Sequence, residues 1–159
     1  FTYGGNDTEN CGEVIAYEDI TQPFYWQFRM KKFSAGTFTI EKDWEVISDT
    51  GTSFIGVPTF VANMIAYTFD AEYDEQNGIF LVKCGTNVTF DLTIGKNVYT
   101  IESKNLVYEI EGICLITMFP MDAAGFGPQW ILGDPFIRQY CNIYDMGKQK
   151  IGFAKPLKK

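Results

Sequence analysis

The sequence predicts a mostly-β domain with one main helix and short helical turns, and three observations lead there. Thr, Ile, Val, Tyr and Phe recur in short runs, and aromatic residues make up 16% of the chain, a composition that favours strands over helices. The stretch from Val88 to Ile94 alternates without a break, with Val88, Phe90, Leu92 and Ile94 on one face and Thr89, Asp91 and Thr93 on the other. Only Val57 to Tyr67 carries apolar residues at helical spacing over several turns, at Val57, Phe60, Val61, Met64 and Ile65.

Taken in order, strand signals open the chain at Val14 to Tyr17, Tyr25 to Met30 and Thr37 to Ile40. Val46 to Ser48 then runs directly into Asp49-Thr50-Gly51. In the helix that follows, Pro58 suits the first turn, where its missing N–H costs nothing. Gly95-Lys96-Asn97 offers a hairpin turn from the alternating strand to Val98 through Ile101. Apolar runs continue at Val107 to Ile110 and Ile113 to Phe119, before a Gly/Pro-rich loop from Pro120 to Gln129. Asp134 and Pro135 read as an N-cap and a first-turn proline opening a short helix to about Tyr140. Asn142 to Tyr144 and Lys150 to Phe153 flank the turn Asp145 to Gln149 as a closing hairpin. No repeat, low-complexity segment or linker interrupts this series, so residues 1–159 are expected to form one domain.

Composition removes several functions. With 159 residues, 46% of them hydrophobic, the chain is long enough to bury a core, yet no apolar run approaches the ~18 residues of a membrane span. The net charge of −7 argues against nucleic acid or an anionic membrane surface as partner, and the basic tail Lys155, Lys158 and Lys159 is too short to reverse that. The chain has no histidine, which excludes Ser-His-Asp and Cys-His catalysis and every His-ligated metal. Proton transfer is left to carboxylate, Lys, Tyr or Cys. The acidic cluster Asp70, Glu72, Asp74 and Glu75 fails as a calcium loop, because the sixth and twelfth places hold Glu75 and Leu81 rather than Gly and Glu. It reads as a solvated loop, and neither metal nor cofactor is expected.

Cys11, Cys84, Cys114 and Cys141 are widely spaced with no C-x-x-C pair, which favours two disulfides and an oxidising compartment over zinc or redox chemistry. Two glycosylation sequons, at Asn6 and Asn87, point the same way. Phe1 is preceded by neither Met nor a signal sequence, so the expected parent is a processed protein, secreted or lysosomal.

The segment that carries chemistry is Val46-Ile47-Ser48-Asp49-Thr50-Gly51-Thr52-Ser53. An apolar strand ends abruptly in a carboxylate, followed by two hydroxyls around a glycine. Gly51 permits a tight turn, and Thr50 and Thr52 offer donors that orient a carboxylate. Taken alone, the tripeptide reads first as an ordinary Asp-Gly-type hairpin turn. Its context decides. The segment resembles the second active-site loop of the pepsin family of aspartic proteases. Trp130-Ile131-Leu132-Gly133-Asp134-Pro135-Phe136 resembles that family's later apolar-apolar-Gly element, which packs against the aspartate loop. Gly4-Gly5-Asn6-Asp7 is similar to the opening of the family's C-terminal lobe, and Phe24-Tyr25-Trp26-Gln27-Phe28 to its Tyr-Trp-Gln strand. The hairpin Asn142-Ile143-Tyr144-Asp145 to Lys150-Ile151-Gly152-Phe153-Ala154 is similar to the family's last one. These matches fall in family order over nearly the whole chain.

The resemblance implies a C-terminal lobe of the acid-protease, double-ψ β-barrel type. Asp49 would be the second catalytic aspartate, Thr50 half of the threonine pair that locks two active-site loops together, and Thr52 a donor to the outer oxygen of Asp49. Gly51 would offer backbone groups to substrate, with Tyr25, Ile47, Ser53 and Ile131 as further substrate-binding candidates; for Ile47 and Ile131 core packing is the equal alternative. A Cys84–Cys114 bridge matches the family, which leaves Cys11 and Cys141 to each other. Only one Asp-Thr-Gly occurs, so the first aspartate and the flap must come from an N-terminal lobe that this chain lacks. The expected function is half of an aspartic endopeptidase, which hydrolyses proteins or peptides and binds pepstatin-type inhibitors, with the isolated lobe inactive. Two alternatives stand beside it: a homodimeric retroviral-type protease, and a non-enzymatic binding or inhibitory module that keeps the fold.

Overall fold

A computed structural model describes residues 1–123 and 127–157, so part of the loop expected from Pro120 to Gln129, and Lys158 and Lys159 of the basic tail, lie outside the described residues. The strands are β1 (Cys11–Asp19), β2 (Gln27–Ala35), β3 (Phe38–Ser48), β4 (Ile55–Pro58), β5 (Glu72–Asp74), β6 (Ile79–Val82), β7 (Phe90–Ile94), β8 (Asn97–Ile101), β9 (Val107–Ile110), β10 (Ile113–Ile116), β11 (Met118–Met121), β12 (Trp130–Leu132), β13 (Cys141–Asp145) and β14 (Lys150–Pro156). Three helices, α1 (Thr59–Phe69), α2 (Ser103–Leu106) and α3 (Asp134–Gln139), complete a mostly-β fold. Among the described residues the strands form three open sheets, ordered β1-β14-β13, β5-β6-β10-β9 and β11-β4-β12-β3-β2-β7-β8, and none is closed into a barrel.

The alternating segment behaves as its pattern dictates. Phe90, Leu92 and Ile94 are fully buried, Thr93 and Asp91 are half-buried on the other face, and Gly95, at φ +60°, opens the two-residue turn that pairs Ile94 with Asn97. The strand itself begins at Phe90 rather than Val88. Elsewhere tertiary pairing redraws the local pattern. The runs expected at Thr37 to Ile40 and Val46 to Ser48 are the two ends of one eleven-residue strand, β3, because β2 lies antiparallel along its whole length. Val57 and Pro58 belong to β4, not to the helix, and Pro58 stands at the N-cap of α1. Val61, Ala62 and Ile65 bury the helix against the core, while Phe60 and Met64 stay partly exposed. Asp70 ends α1 in the left-handed conformation, at φ 53°, with Ala71 N–H bonded to the Ala66 carbonyl. Asp134 is the first residue of α3, and Gly133 takes the N-cap position. The acidic cluster contains β5, and the Asp74 carboxylate accepts from the Gln76 and Asn77 amides in the following turn.

An aromatic cluster joins the layers. Phe33 of β2 packs on Trp130 of β12 and Phe90 of β7, with ring centroids 4.7 and 5.2 Å apart. Phe153 of β14 meets Phe28, Tyr99 and Phe136, each within 5.3 Å, so the three-stranded sheet, the seven-stranded sheet and α3 share one core. Edge-to-face contacts of this kind add about 0.5–1.5 kcal/mol each beyond area burial.

Two disulfides, Cys11–Cys141 and Cys84–Cys114, bind the frame, the first linking the outer strands of the three-stranded sheet. Their sequence separations of 130 and 30 residues give chain-entropy stabilisations of about 5 and about 3.5 kcal/mol. Replacing both Cys11 and Cys141 by Ser should therefore lower the unfolding free energy more than the same change at Cys84 and Cys114. Denaturant melts of the two double variants check the order.

Candidate active site

Strand β3 ends at Ser48, and the chain turns at once through Asp49, Thr50 and Gly51. Three backbone bonds fix where that turn lies. Ser48 N–H donates to the Trp26 carbonyl (3.0 Å), Asp49 N–H to the Leu132 carbonyl (3.1 Å), and Asp134 N–H to the Thr52 carbonyl (2.9 Å). The middle bond exists because β12 lies parallel to β3, with Ile131 opposite Ile47, and antiparallel to β4 on its other side. The Leu132-Gly133-Asp134 segment thereby clamps both ends of the aspartate turn.

Within the turn each oxygen of the Asp49 carboxylate has one donor. Gly51 N–H reaches Oδ1 at 2.9 Å and the Thr52 hydroxyl reaches Oδ2 at 2.7 Å. Such bonds orient the group. Asp49 and Thr52 are half-buried, while Thr50, Gly51 and Ser53 are exposed. Among the described residues the Thr50 hydroxyl has no hydrogen-bond partner, and it borders a wide concavity with Trp26, Tyr144 and the N-terminal segment. A carboxylate presented this way, flanked by an unused hydroxyl, is suited to accept or deliver a proton.

The other sequence candidates fall into two groups. Ile47 (7% exposed) and the half-buried Ile131 lie side by side beneath the turn, one strand from Gln27. Tyr25 is 58% exposed in the turn before β2 and lines a separate recess with Phe24, Pro23 and Met146. The structure thus brings Asp49, Gly51, Thr52, Ile47 and Ile131 together and sets Tyr25 apart from them.

One polar group went unnoticed in the sequence. Glu45 lies two residues before Ile47 on β3, and its carboxylate accepts from the Thr21 hydroxyl (2.5 Å), Gln27 Nε2 (2.9 Å) and Arg29 Nε (3.2 Å). Partial burial alone would raise its pKa, but these three donors outweigh it and hold the group below its ordinary 4.5. A lowered folded value means stabilisation that is complete above the ordinary value and lost as pH falls through the folded one. Glu45→Gln should accordingly melt below the unsubstituted protein near neutral pH, with the gap closing under strongly acidic conditions. A series of melting temperatures against pH measures it.

The chain matches the family model described as eukaryotic aspartyl protease over residues 1–156. It is 47% identical to aspartic protease 6 of Caenorhabditis elegans over 161 residues, which cover 100% of this chain and 41% of that protein. Aspartic protease 2 of Necator americanus is 48% identical over 97% of this chain and 36% of its own length. The probable vacuolar protease A of Arthroderma benhamiae is 34% identical over 97% of this chain and 40% of its own length. The chain therefore spans about two fifths of the length of these curated relatives. A match covering the described fold from the first strand to the last is decisive: this chain belongs to the eukaryotic aspartyl protease family.

Proposed function

We propose that this chain is the C-terminal lobe of a two-lobed aspartic endopeptidase, and that Asp49 supplies the second of its two catalytic carboxylates. The observation that carries the reading is the Asp49 carboxylate itself, held by Gly51 and Thr52 just past the buried end of β3 and beside the unpartnered Thr50 hydroxyl. An N-terminal lobe of the same polypeptide supplies the other aspartate, and the coverage of about two fifths of each relative leaves room for it. Two carboxylates at close range cannot both ionise, so they share one proton. The ionised member takes a proton from a water molecule, whose oxygen attacks the scissile carbonyl carbon. The protonated member gives its proton to the carbonyl oxygen. Collapse of the tetrahedral intermediate then breaks the C–N bond, with the nitrogen taking up a proton to leave as the amine.

Gly51 offers backbone groups to the substrate, Ile47 and Ile131 its apolar floor, and Ser53 and Tyr25 more distant contacts, for proteins or peptides as substrates. Thr50 pairs with its counterpart in the other lobe. The two disulfides suit a secreted or lysosomal enzyme, and the exposed side chains of Asn6 and Asn87 are accessible to glycosylation. Immobilised pepstatin, which mimics the tetrahedral intermediate, should retain the two-lobed protein and let the isolated chain pass. The isolated chain should also leave a peptide substrate intact, having no second carboxylate. Robust cleavage by a chain shown monomeric by sedimentation would overturn the half-site reading.

A further inference from the structure

Beside the aspartate turn lies a group of polar side chains, Ser48 buried and Asn142 and Tyr144 half-buried, that the proposed chemistry does not use. Ser48, 6% exposed, directs its hydroxyl to Asn142 Oδ1 at 2.9 Å and to the Tyr144 hydroxyl at 2.8 Å. Asn142 and Tyr144 both belong to β13, in a different sheet from β3. Hydrogen-bond chemistry fixes the direction of this chain. Asn142 Nδ2 donates to the Tyr140 carbonyl at 2.7 Å, so its Oδ1 is the atom that faces Ser48, and an amide oxygen only accepts. The single Ser48 proton is therefore spent on Asn142. The bond at 2.8 Å must then run from Tyr144 to Ser48.

The Tyr144 ring is held in its turn. It packs on Trp26 with centroids 4.9 Å apart, and the Trp26 carbonyl accepts from Ser48 N–H. Ser48 is thus gripped at its amide by Trp26, at its hydroxyl by Asn142 and Tyr144, and Tyr144 closes the loop back onto Trp26. Burial pushes the Tyr144 phenol up, the Ser48 hydrogen bond draws it back in part, and the charge of Asp49 adds to the rise, so the proton that the chain requires stays on Tyr144.

We infer that Ser48, Tyr144 and Asn142 are positioning residues that anchor the residue preceding Asp49 to the three-stranded sheet, and so set the placement of the Asp49 carboxylate. This rests on the reading of Asp49 as catalytic. The anchor acts on geometry in the transition state, not on substrate affinity, since the polar atoms of the three are spent on one another and on the Tyr140 carbonyl. A carboxylate displaced by a fraction of an ångström loses rate without losing binding.

The test uses the two-lobed protein and compares Ser48→Ala, Tyr144→Phe, the double variant and Asp49→Asn, each assayed well below its own melting temperature. Ser48→Ala should lower kcat roughly tenfold with KM unchanged within about twofold, and Tyr144→Phe should do the same to a smaller extent. The double variant should be no slower than Ser48→Ala, because both changes break one chain. Unchanged kcat in both single variants beside an inactive Asp49→Asn would overturn the inference and leave the catalytic reading standing. Multiplying losses, or a raised KM at constant kcat, would overturn it as well. An active Asp49→Asn would sink both. If Ser48→Ala fails to fold, Tyr144→Phe decides alone, since it removes one oxygen and leaves the packed ring.

Discussion

Asp49→Asn in the two-lobed protein is expected to abolish peptide hydrolysis, by about a thousandfold or more, while the melting temperature hardly moves. The replacement has nearly the same shape. Its amide oxygen still accepts from Gly51 N–H at the place of Oδ1, and its NH2 group finds an acceptor in the Thr52 hydroxyl oxygen after that hydroxyl rotates. The turn therefore keeps both of its internal bonds. What it loses is an ionisable oxygen, and an amide neither takes a proton from water nor shares one with a second carboxylate. Turnover of a peptide substrate and a calorimetric scan on the same preparation test the pair of outcomes. Activity within tenfold of the unsubstituted protein would remove Asp49 from the mechanism.

Gly133→Ala should be the most damaging single methyl group in the chain. Gly133 has φ −88°, a conformation open to any residue, so the penalty comes from space alone. A Cβ built there would overlap the carbonyl oxygens of Thr52 and Phe54 and stand 2.9 Å from the Thr52 carbonyl carbon. All three are backbone atoms, and the Thr52 carbonyl already accepts from Asp134 N–H. Relief requires the clamp segment and the aspartate turn to part, which carries the Thr52 hydroxyl off Asp49. We expect a loss of about 3 kcal/mol or more, hence a melting temperature lower by roughly 10 °C, together with a fall in kcat. Gly5→Ala, where nothing lies within 4 Å of the added carbon, serves as the neutral control. Equal melting temperatures for the two variants would contradict this account.

What the sequence made legible depended on distance along the chain. The bonds to the Asp49 carboxylate come from residues two and three positions on, so one short segment carries the candidate site. The alternation from Val88 to Ile94 is likewise local, because the two faces of β7 show in its own sequence whichever strands, here β2 and β8, lie at its edges. The insertion of β12 between β3 and β4 is of another kind. Three residues, Trp130, Ile131 and Leu132, have no period to read, and their two partners lie more than seventy residues away. The same holds for Ser48, whose hydroxyl partners are 94 and 96 residues distant and which looks, in sequence, like one more small residue in an apolar run. Glu45 was passed over because an acidic residue in a half-exposed strand ordinarily means solvation. Thr21, Gln27 and Arg29 became its partners only through the antiparallel register of β2 on β3 and the turn before it.

The bridge between Cys11 and Cys141 has a consequence for the order of events on the ribosome. Strand β1 emerges well before β14, its sheet neighbour, and β13, which holds its disulfide partner. At about 5–20 residues per second, the 130 residues between the two cysteines take roughly 6 to 26 s to make. For that interval Cys11 is a thiol without its mate, and Cys84 and Cys114 pass within its reach. The hairpin-like neighbourhood of β6 and β10, only 30 residues apart, lets those two find each other and withdraw from the exchange before Cys141 arrives. The short bridge thus acts in time as well as in strength, by leaving Cys141 as the one partner within this lobe for Cys11.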